Sequence, residues 1–353
     1  MNKKTTWIIG IILIVLILIL VNNNSTKDQT SGSIKLGVIT PATGPAGQMG
    51  EEVLNSLKLA SITNVTMSFE DDQCSGKQAV SSYNKLKSEG VHIFYVACSG
   101  SVLALAPLAK EDGNLILTAY AGSSEIRKTG DEVIRFIPDA VSIANAMAEY
   151  TISLRDVKKI GLLYENQDYS KSAAMILKDK TGTLISEEET YSAEDTSFRT
   201  QITKLKANGV DTLLYVPTSD KAAKLVYAEM KNLSYKPYII GDVNVCEYPF
   251  SPKDYGMKST CFDSGFNIET QAYKDFILSY QTVYGHPASA GFYDAVTYDI
   301  VKILDAYKST KKTVKVDDLK KYILAGVKGE MTDYAFTSEG EVLGSNYLKQ
   351  INK

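Results

Sequence analysis

The sequence lacks the motifs by which most enzymes are recognised. Histidine occurs only at His92 and His286, and the chain contains no GxSxG, HExxH or P-loop pattern. An activated nucleophile, a zinc hydrolase and a phosphate-binding loop each depend on one of these patterns. Glu70-Asp71-Asp72 resembles a metal cluster, but neighbouring strand residues point to opposite faces, so a solvated strand end is the simpler interpretation. The sequence therefore predicts a protein that is not an enzyme and needs no metal or cofactor.

The sequence also lacks a concentration of positive charge. It has 38 Lys and Arg against 41 Asp and Glu, and the formal net charge is −3. Because the basic residues are scattered, they do not form the basic stripe that nucleic acid requires, which excludes a nucleic-acid partner. The 353 residues, 44% of them hydrophobic, suffice for two globular domains.

One long apolar run lies at the N-terminus, where Lys3 and Lys4 precede the uncharged residues 7–21. The run is short for a membrane span and as long as the apolar part of a signal peptide. It ends in bulky residues, with neither a small-x-small cleavage site nor a cysteine that could carry a lipid. We therefore expect an uncleaved anchor, with a removed signal peptide as the alternative. Either way the rest of the chain is exported, and residues 22–33 form a tether.

Cysteine is scarce, and its spacing argues against metal binding. Cys74, Cys98, Cys246 and Cys261 contain no CxxC pair, and two histidines are too few for an ordinary zinc site. Disulfides persist outside the cell, so the four residues are expected to form two local bridges. Buried free thiols are the alternative.

A predicted strand–helix–strand unit organises the rest of the chain. Residues 93–96 and 115–117 are short apolar runs typical of buried parallel strands, and residues 102–110 between them have helical spacing. Small hydroxyl-rich residues follow each strand, at 97–101 and at 118–124. The carboxyl ends of parallel strands are where α/β sheets bind ligands, so we expect a small-molecule site at this edge.

Strand and helix patterns alternate along the whole chain, which predicts an α/β fold of two doubly wound parallel-sheet lobes. The other predicted strands lie at 34–39, 65–69, 133–137, 159–164, 184–188, 212–216, 238–240 and 346–351. Further predicted helices include 170–180, 197–208, 220–231, 291–307 and 317–324. We expect residues 34–138 plus 265–334 in lobe 1, residues 139–264 plus 335–353 in lobe 2, and a hinge of several crossings.

Six segments carry a family resemblance: GVITPATGPAGQMGEE, EDDQCSGKQAVSSYNKLKSEGV, ACSGSVLALAPLAKEDGNLILTAYAGSSEI, RFIPD, DYSKSAA and GFYDAVTYDIVKIL. They resemble the type 1 periplasmic-binding fold, and in particular the leucine/isoleucine/valine-binding proteins of branched-chain amino-acid ABC transporters. The likeness covers residues 34–351. It implies two lobes that close on an amino acid or similar small molecule, and a transporter permease as partner. The N-terminal segment would keep the chain at the outer face of the cytoplasmic membrane. The likeness also implies a Cys74–Cys98 bridge, which leaves Cys246 to pair with Cys261 by elimination.

The resemblance also assigns site residues. It places the ligand carboxylate at Ser99 and at the backbone around Tyr120 and Ala121, a flanking aromatic at Tyr169, and the ammonium acceptor at Asp242. Each of these positions follows a predicted strand, and so does Thr218, so they should converge at one edge. The alternatives are that Ser99 only caps a helix, that Tyr169 lies at the surface, and that Asp242 belongs to a turn.

The N–H groups of Gly100 and Ser101 should add donors for an anion at the start of the predicted helix. The chain departs from the family pattern at Tyr120, at Gly122 with Ser123 beside it, and at Met49, which replaces a common aromatic. A tyrosine at the mouth takes up volume, which leaves open a smaller or differently shaped ligand than a branched aliphatic amino acid. The sequence thus predicts solute capture for an ABC transporter. The alternative is a ligand sensor that acts on a partner membrane receptor.

Overall fold

The computed structural model describes residues 28–29, 32–155, 157–248, 250–265, 269–343 and 347–352. The predicted membrane segment at residues 7–21 lies outside these residues. Across the described ranges, no helix combines the length and apolar character needed to cross a membrane.

The first part of the chain builds a sheet of five parallel strands. Its elements are β1 Asp28–Gln29, β2 Ile34–Thr40, α1 Gly47–Leu59, β3 Val65–Asp71, α2 Gly76–Ser88, β4 Ile93–Val96, α3 Ser99–Asp112, β5 Leu115–Thr118 and β6 Val133–Arg135. The strand order is β3-β2-β4-β5-β6. Every residue of β4 and β5 is buried, as expected for central parallel strands with helices on both faces. The predicted strand–helix–strand unit is confirmed.

The middle of the chain repeats the same alternation. Its elements are α4 Ala140–Ser153, β7 Ile160–Glu165, α5 Asp168–Thr181, β8 Ile185–Tyr191, α6 Arg199–Ala207, β9 Thr212–Val216, α7 Asp220–Asn232, β10 Tyr238–Gly241, α8 Val243–Glu247 and β11 Ser259–Gly265. Short 3₁₀ helices lie at Ser124–Lys128, Gly182–Leu184 and Pro252–Tyr255.

The last part of the chain contributes to both halves of the molecule. Its elements are α9 Gln271–Tyr284, α10 Gly291–Ser309, β12 Val314–Lys315, α11 Val316–Leu324, β13 Val327–Lys328, β14 Asp333–Tyr334 and β15 Tyr347–Asn352. The second sheet has the order β15-β11-β10-β9-β7-β8, and β15 pairs antiparallel with β11. Two small antiparallel pairs, β1 with β12 and β13 with β14, complete the strands.

Helices α9 and α10 return to the first sheet. The Tyr280 hydroxyl donates to Glu52 at 2.5 Å, and the Tyr284 hydroxyl donates to the backbone oxygen of Asn55 at 2.8 Å, so α9 is held against α1. The Asp305 carboxylate of α10 accepts from the N–H of Asn64 at 2.6 Å. Because β11 before them and β15 after them belong to the second sheet, the chain crosses between the two halves three times.

Arg135 lies where two of these crossings meet and is fully buried. Its guanidinium pairs with Glu341 and lies 3.5 Å from the carboxylate of Asp139. It also donates to the backbone oxygens of Ala121 at 3.2 Å and Ser123 at 2.7 Å. A buried cation is tolerated when it is paired and hydrogen-bonded in this way. Arg135 therefore joins the end of β6, the start of α4 and the segment that leads to β15.

Candidate ligand-binding site

A cavity of about 180 Å³ lies between the two sheets. Much of its wall comes from the loops and helix ends that follow the strands, at the carboxyl edges of both sheets. The first half contributes, among others, Pro45, Gln48, Met49, Glu52, Ser99, Gly100, Tyr120, Gly122, Ser289 and Tyr293. The second half contributes, among others, Glu165, Gln167, Asp168, Tyr169, Glu194, Thr218, Ser219, Asp220, Asn244 and Tyr248.

The first wall is built on the N-terminus of α3. Cys98 is the N-cap residue, and a disulfide joins it to Cys74 with 5.4 Å between the Cα atoms. Ser99 lines the cavity, and its hydroxyl oxygen accepts the N–H of Ser123 at 3.1 Å. The Ser99 hydroxyl still has its proton to donate to an anion, and the start of a helix favours negative charge.

A carboxyl pair lies beside this wall. Tyr120 donates to Asp294 at 2.5 Å, and burial together with the nearby Glu52 raises the pKa of Asp294 well above its ordinary value. Glu52 itself accepts from Tyr280 at 2.5 Å and from Ser289 at 2.6 Å. The bond to Asp294 holds the Tyr120 side chain against α10.

The second wall contains a carboxylate at the end of β7. Glu165 is only 1% exposed, and one of its oxygens accepts the N–H groups of Thr218 at 3.2 Å and Ser219 at 2.8 Å. Burial raises the pKa of Glu165 to about 7, although these two hydrogen bonds act in the opposite direction. The Glu165 carboxyl thus titrates near neutral pH at the cavity wall.

Asp242 lies behind this wall. It is fully buried and caps α8, accepting the backbone N–H and the side-chain amide of Asn244, each at 3.1 Å. Burial raises the pKa of Asp242 to about 7, against the lowering effect of the Tyr169 hydroxyl. The second disulfide, Cys246 to Cys261 with 5.5 Å between Cα atoms, ties α8 to β11.

Hydrogen bonds join the two halves near the cavity. The Ser124 and Ser172 hydroxyls are 2.7 Å apart, and the Ser219 hydroxyl donates to the backbone oxygen of Pro45 at 3.4 Å. A Cβ atom on Gly122 would lie 2.8 Å from the ring of Tyr169, so glycine is needed for this close approach.

A model of the family described as periplasmic binding protein matches residues 33–239. The chain belongs to this family. The leucine-, isoleucine-, valine-, threonine-, and alanine-binding protein of Pseudomonas aeruginosa is 28% identical over 199 residues, which is 52% of this chain and 53% of the relative. The chain thus spans about half the length of the curated relatives that it matches.

Solved structures show the same fold over nearly the whole chain. A solute binding protein of an ABC transporter from R. palustris, in complex with benzoate, has a TM-score of 0.75 at 17% identity and covers 91% of this chain and 95% of its own. A branched-chain amino acid transporter substrate binding protein from Streptococcus pneumoniae, in complex with isoleucine, has a TM-score of 0.74 at 17% identity. It covers 91% of this chain and 100% of its own. The predicted family and the two-lobed α/β fold are confirmed.

In this periplasmic binding protein, the predicted ligand residues fall into two groups. The cavity is lined by Met49, Ser99, Gly100, Tyr120, Tyr169 and Thr218. The residues that do not reach the described wall are Ser101, Ala121, Ser123 and Asp242.

These buried residues are engaged elsewhere. Ser101 donates to Asp72 at 2.5 Å, Ala121 accepts from Arg135, and the Ser123 hydroxyl oxygen accepts the N–H of Glu125 at 3.3 Å.

Most other residues of the wall were not predicted, and three of them, Glu52, Glu165 and Tyr248, carry polar groups. Glu165 directly follows an apolar run, in the position that singled out the other candidates. Glu52 and Tyr248 do not follow a predicted strand. Glu52 lies inside α1, and Tyr248 follows the short helix α8.

Proposed function

We propose that this protein captures a small polar solute, an amino acid or a close analogue, between its two lobes and presents it to an ABC transporter. The main support is the cavity, which opens between the carboxyl edges of two sheets and draws its wall from both. The relatives include leucine-, isoleucine- and valine-binding proteins, which supports the same class of ligand. Lobe 1 comprises residues 34–138 and 265–334, and lobe 2 residues 139–264 and 335–353.

Lobe 1 holds the anionic end of the solute. The Ser99 hydroxyl and the N–H groups at the start of α3, near Gly100 and Ser101, supply the donors. The backbone near Ala121 and Ser123 fixes this wall, while Met49 and Tyr120 fill space beside the solute. Tyr169, Thr218 and the region of Asp242 approach from lobe 2 as the cleft closes, which couples binding to a shape that a permease recognises.

The exported chain stays at the outer face of the cytoplasmic membrane through residues 7–21. Cell fractionation tests this proposal, and the protein is expected in the membrane pellet. A mature form that begins between residues 22 and 33, recovered from the medium, would contradict the anchor.

Solute capture is tested by a thermal-shift screen of amino acids and related metabolites, followed by calorimetry and small-angle scattering. We expect an amino acid or analogue to raise the melting temperature and to reduce the radius of gyration. A solute that binds without compaction would contradict closure. Loss of uptake of that solute in a deletion strain distinguishes transport from sensing through a partner receptor.

A further inference from the structure

The described wall of the cavity is acidic on both sides. Carboxyl groups from Glu52, Asp139, Glu165, Asp168, Glu194 and Asp220 line it, and no Lys, Arg or His is among the described lining residues. Asp139 already pairs with the guanidinium of Arg127, and Glu52 accepts two hydroxyl protons. Glu165 is equally buried, but it differs because its described donors are backbone N–H groups alone.

The two N–H groups satisfy one oxygen of Glu165, and no described residue donates to the other. A buried carboxylate with an unused oxygen is costly unless a cation or donor completes it. Because Glu165 lies at the wall, a bound solute can supply that partner.

Tyr248 provides a second, independent observation. It lines the same cavity, and its hydroxyl is buried without a hydrogen-bond partner among the described residues. Its ring stacks on Phe250, with 5.4 Å between the ring centroids, which fixes its orientation. Burial, followed by the charge of Glu165, raises the pKa of Tyr248 well above its ordinary value.

We propose that Glu165 and Tyr248 form the subsite for the ammonium group of the solute, with Glu165 as the ionic partner. The proposal rests on the proposed function, since it assigns the cationic end of the same small molecule. It moves that role from Asp242, which is not among the described wall residues and whose two oxygens accept the backbone N–H and the side-chain amide of Asn244. Primary to quaternary ammonium groups all suit a carboxylate beside tyrosine rings.

A proton competes with the ammonium group for Glu165. Burial raises the pKa of Glu165 to about 7, so affinity should rise between pH 6 and pH 8 as the carboxyl ionises. Other titratable groups near this pair are Tyr191, Tyr215, Asp220 and Asp242. Burial raises the pKa of Asp242 to about 7 as well, so variants must separate the two carboxyls.

The test uses the twenty amino acids, γ-aminobutyrate, choline and glycine betaine as ammonium probes. Propionate, 4-methylpentanoate and benzoate serve as carboxylates without an ammonium group. Affinity for the tightest probe is then measured by calorimetry in Glu165→Gln and Asp242→Asn. Glutamine still accepts the Thr218 and Ser219 N–H groups, so Glu165→Gln keeps the loop and removes only the charge.

We expect an ammonium probe to bind tightest. Glu165→Gln should weaken the affinity for that probe about 30-fold or more. In that variant the affinity should no longer rise between pH 6 and pH 8. Tyr248→Phe should weaken binding about three- to tenfold without lowering the melting temperature. Tyr235→Phe is the matched control, because its hydroxyl is also buried without a described partner but lies off the cavity wall.

Three outcomes would overturn the subsite. If Asp242→Asn abolishes binding while Glu165→Gln does not, the ammonium lies at Asp242. If a carboxylate without an ammonium group binds tightest, solute capture stands and the cation subsite is wrong. If no probe binds, both the subsite and the proposed amino-acid function are wrong.

Discussion

Gly122 controls how closely the two lobes approach. A Cβ atom at this position would lie 2.8 and 2.9 Å from two ring carbons of Tyr169, which is closer than side chains normally pack. Gly122→Ala should therefore hold Tyr169 away and weaken solute binding by about 1 to 3 kcal/mol through overpacking. Calorimetry and small-angle scattering would measure the loss.

Gly32→Ala is a matched control for this prediction, because nothing lies within 4 Å of its added Cβ atom. Equal affinity and equal compaction in Gly122→Ala and the parent protein would show that Tyr169 does not limit closure.

The Ser99 hydroxyl accepts a hydrogen bond from the N–H of Ser123 and can still donate its own proton to a ligand. Ser99→Ala removes the donor offered to the solute and should weaken binding by about 1 to 2 kcal/mol. It also leaves the N–H of Ser123 unpaired, so the melting temperature should fall slightly. Ser123→Ala loses a cap away from the cavity and should lower stability but not affinity. Unchanged affinity in Ser99→Ala would assign Ser99 to helix capping alone.

Side chains at the site were predictable where they lie shortly after a strand or match a segment of the family resemblance. Ser99, Tyr120, Tyr169 and Thr218 lie at the cavity because strand ends converge by geometry. The hydroxyl of Tyr120 bonds Asp294, 174 positions away in sequence, and no local pattern encodes such a contact.

At the scale of elements, the Cys74–Cys98 disulfide ties the loop after β3 to the N-cap of α3. Replacing both cysteines with Ala should lower the free energy of unfolding by about 3 kcal/mol in the chain-entropy model and loosen the Ser99 wall. The matched variant without Cys246 and Cys261 should lose a similar amount of stability. Melting curves with calorimetry check both, and an equal loss of affinity in the two variants would contradict a special role for the first bridge.

The central elements follow from the sequence, and the peripheral ones do not. Strand 212–216 was predicted with its observed bounds, because a short run of mostly apolar residues is typical of a buried parallel strand. The predicted strand 133–137 ends instead at Arg135, where the chain turns into the first crossing. Strand β11 and helix α9 were not predicted. β11 pairs on one side with β15, a partner remote in sequence.

At the scale of the whole molecule, several buried acids make stability depend on pH. Burial raises the pKa of Glu165 and Asp242 to about 7 and that of Asp299 to about 6, above their ordinary values near 4. Each group therefore binds its proton more tightly in the folded state. Its stabilising contribution is complete below about pH 4 and is lost as the pH rises through 6 to 7.

The solute-free protein should consequently be less stable at pH 8 than at pH 5, by about 1 to 3 kcal/mol. Denaturant titrations at both values measure this difference. Glu165→Gln and Asp242→Asn should each flatten the profile, because an amide does not titrate in this range. A free energy of unfolding that rises from pH 5 to pH 8 would contradict the burial of these carboxyls.

The chain passes between the lobes three times, and Arg135 links two of these passages. This arrangement has a topological consequence. A protease that cuts one passage would leave two covalent links between the halves, so the nicked protein should remain one particle. Three neighbouring links also remove most rotational degrees of freedom that a single flexible tether would allow. The closure proposed for the cleft would therefore follow a narrow arc, and each closure would bring the same two walls together.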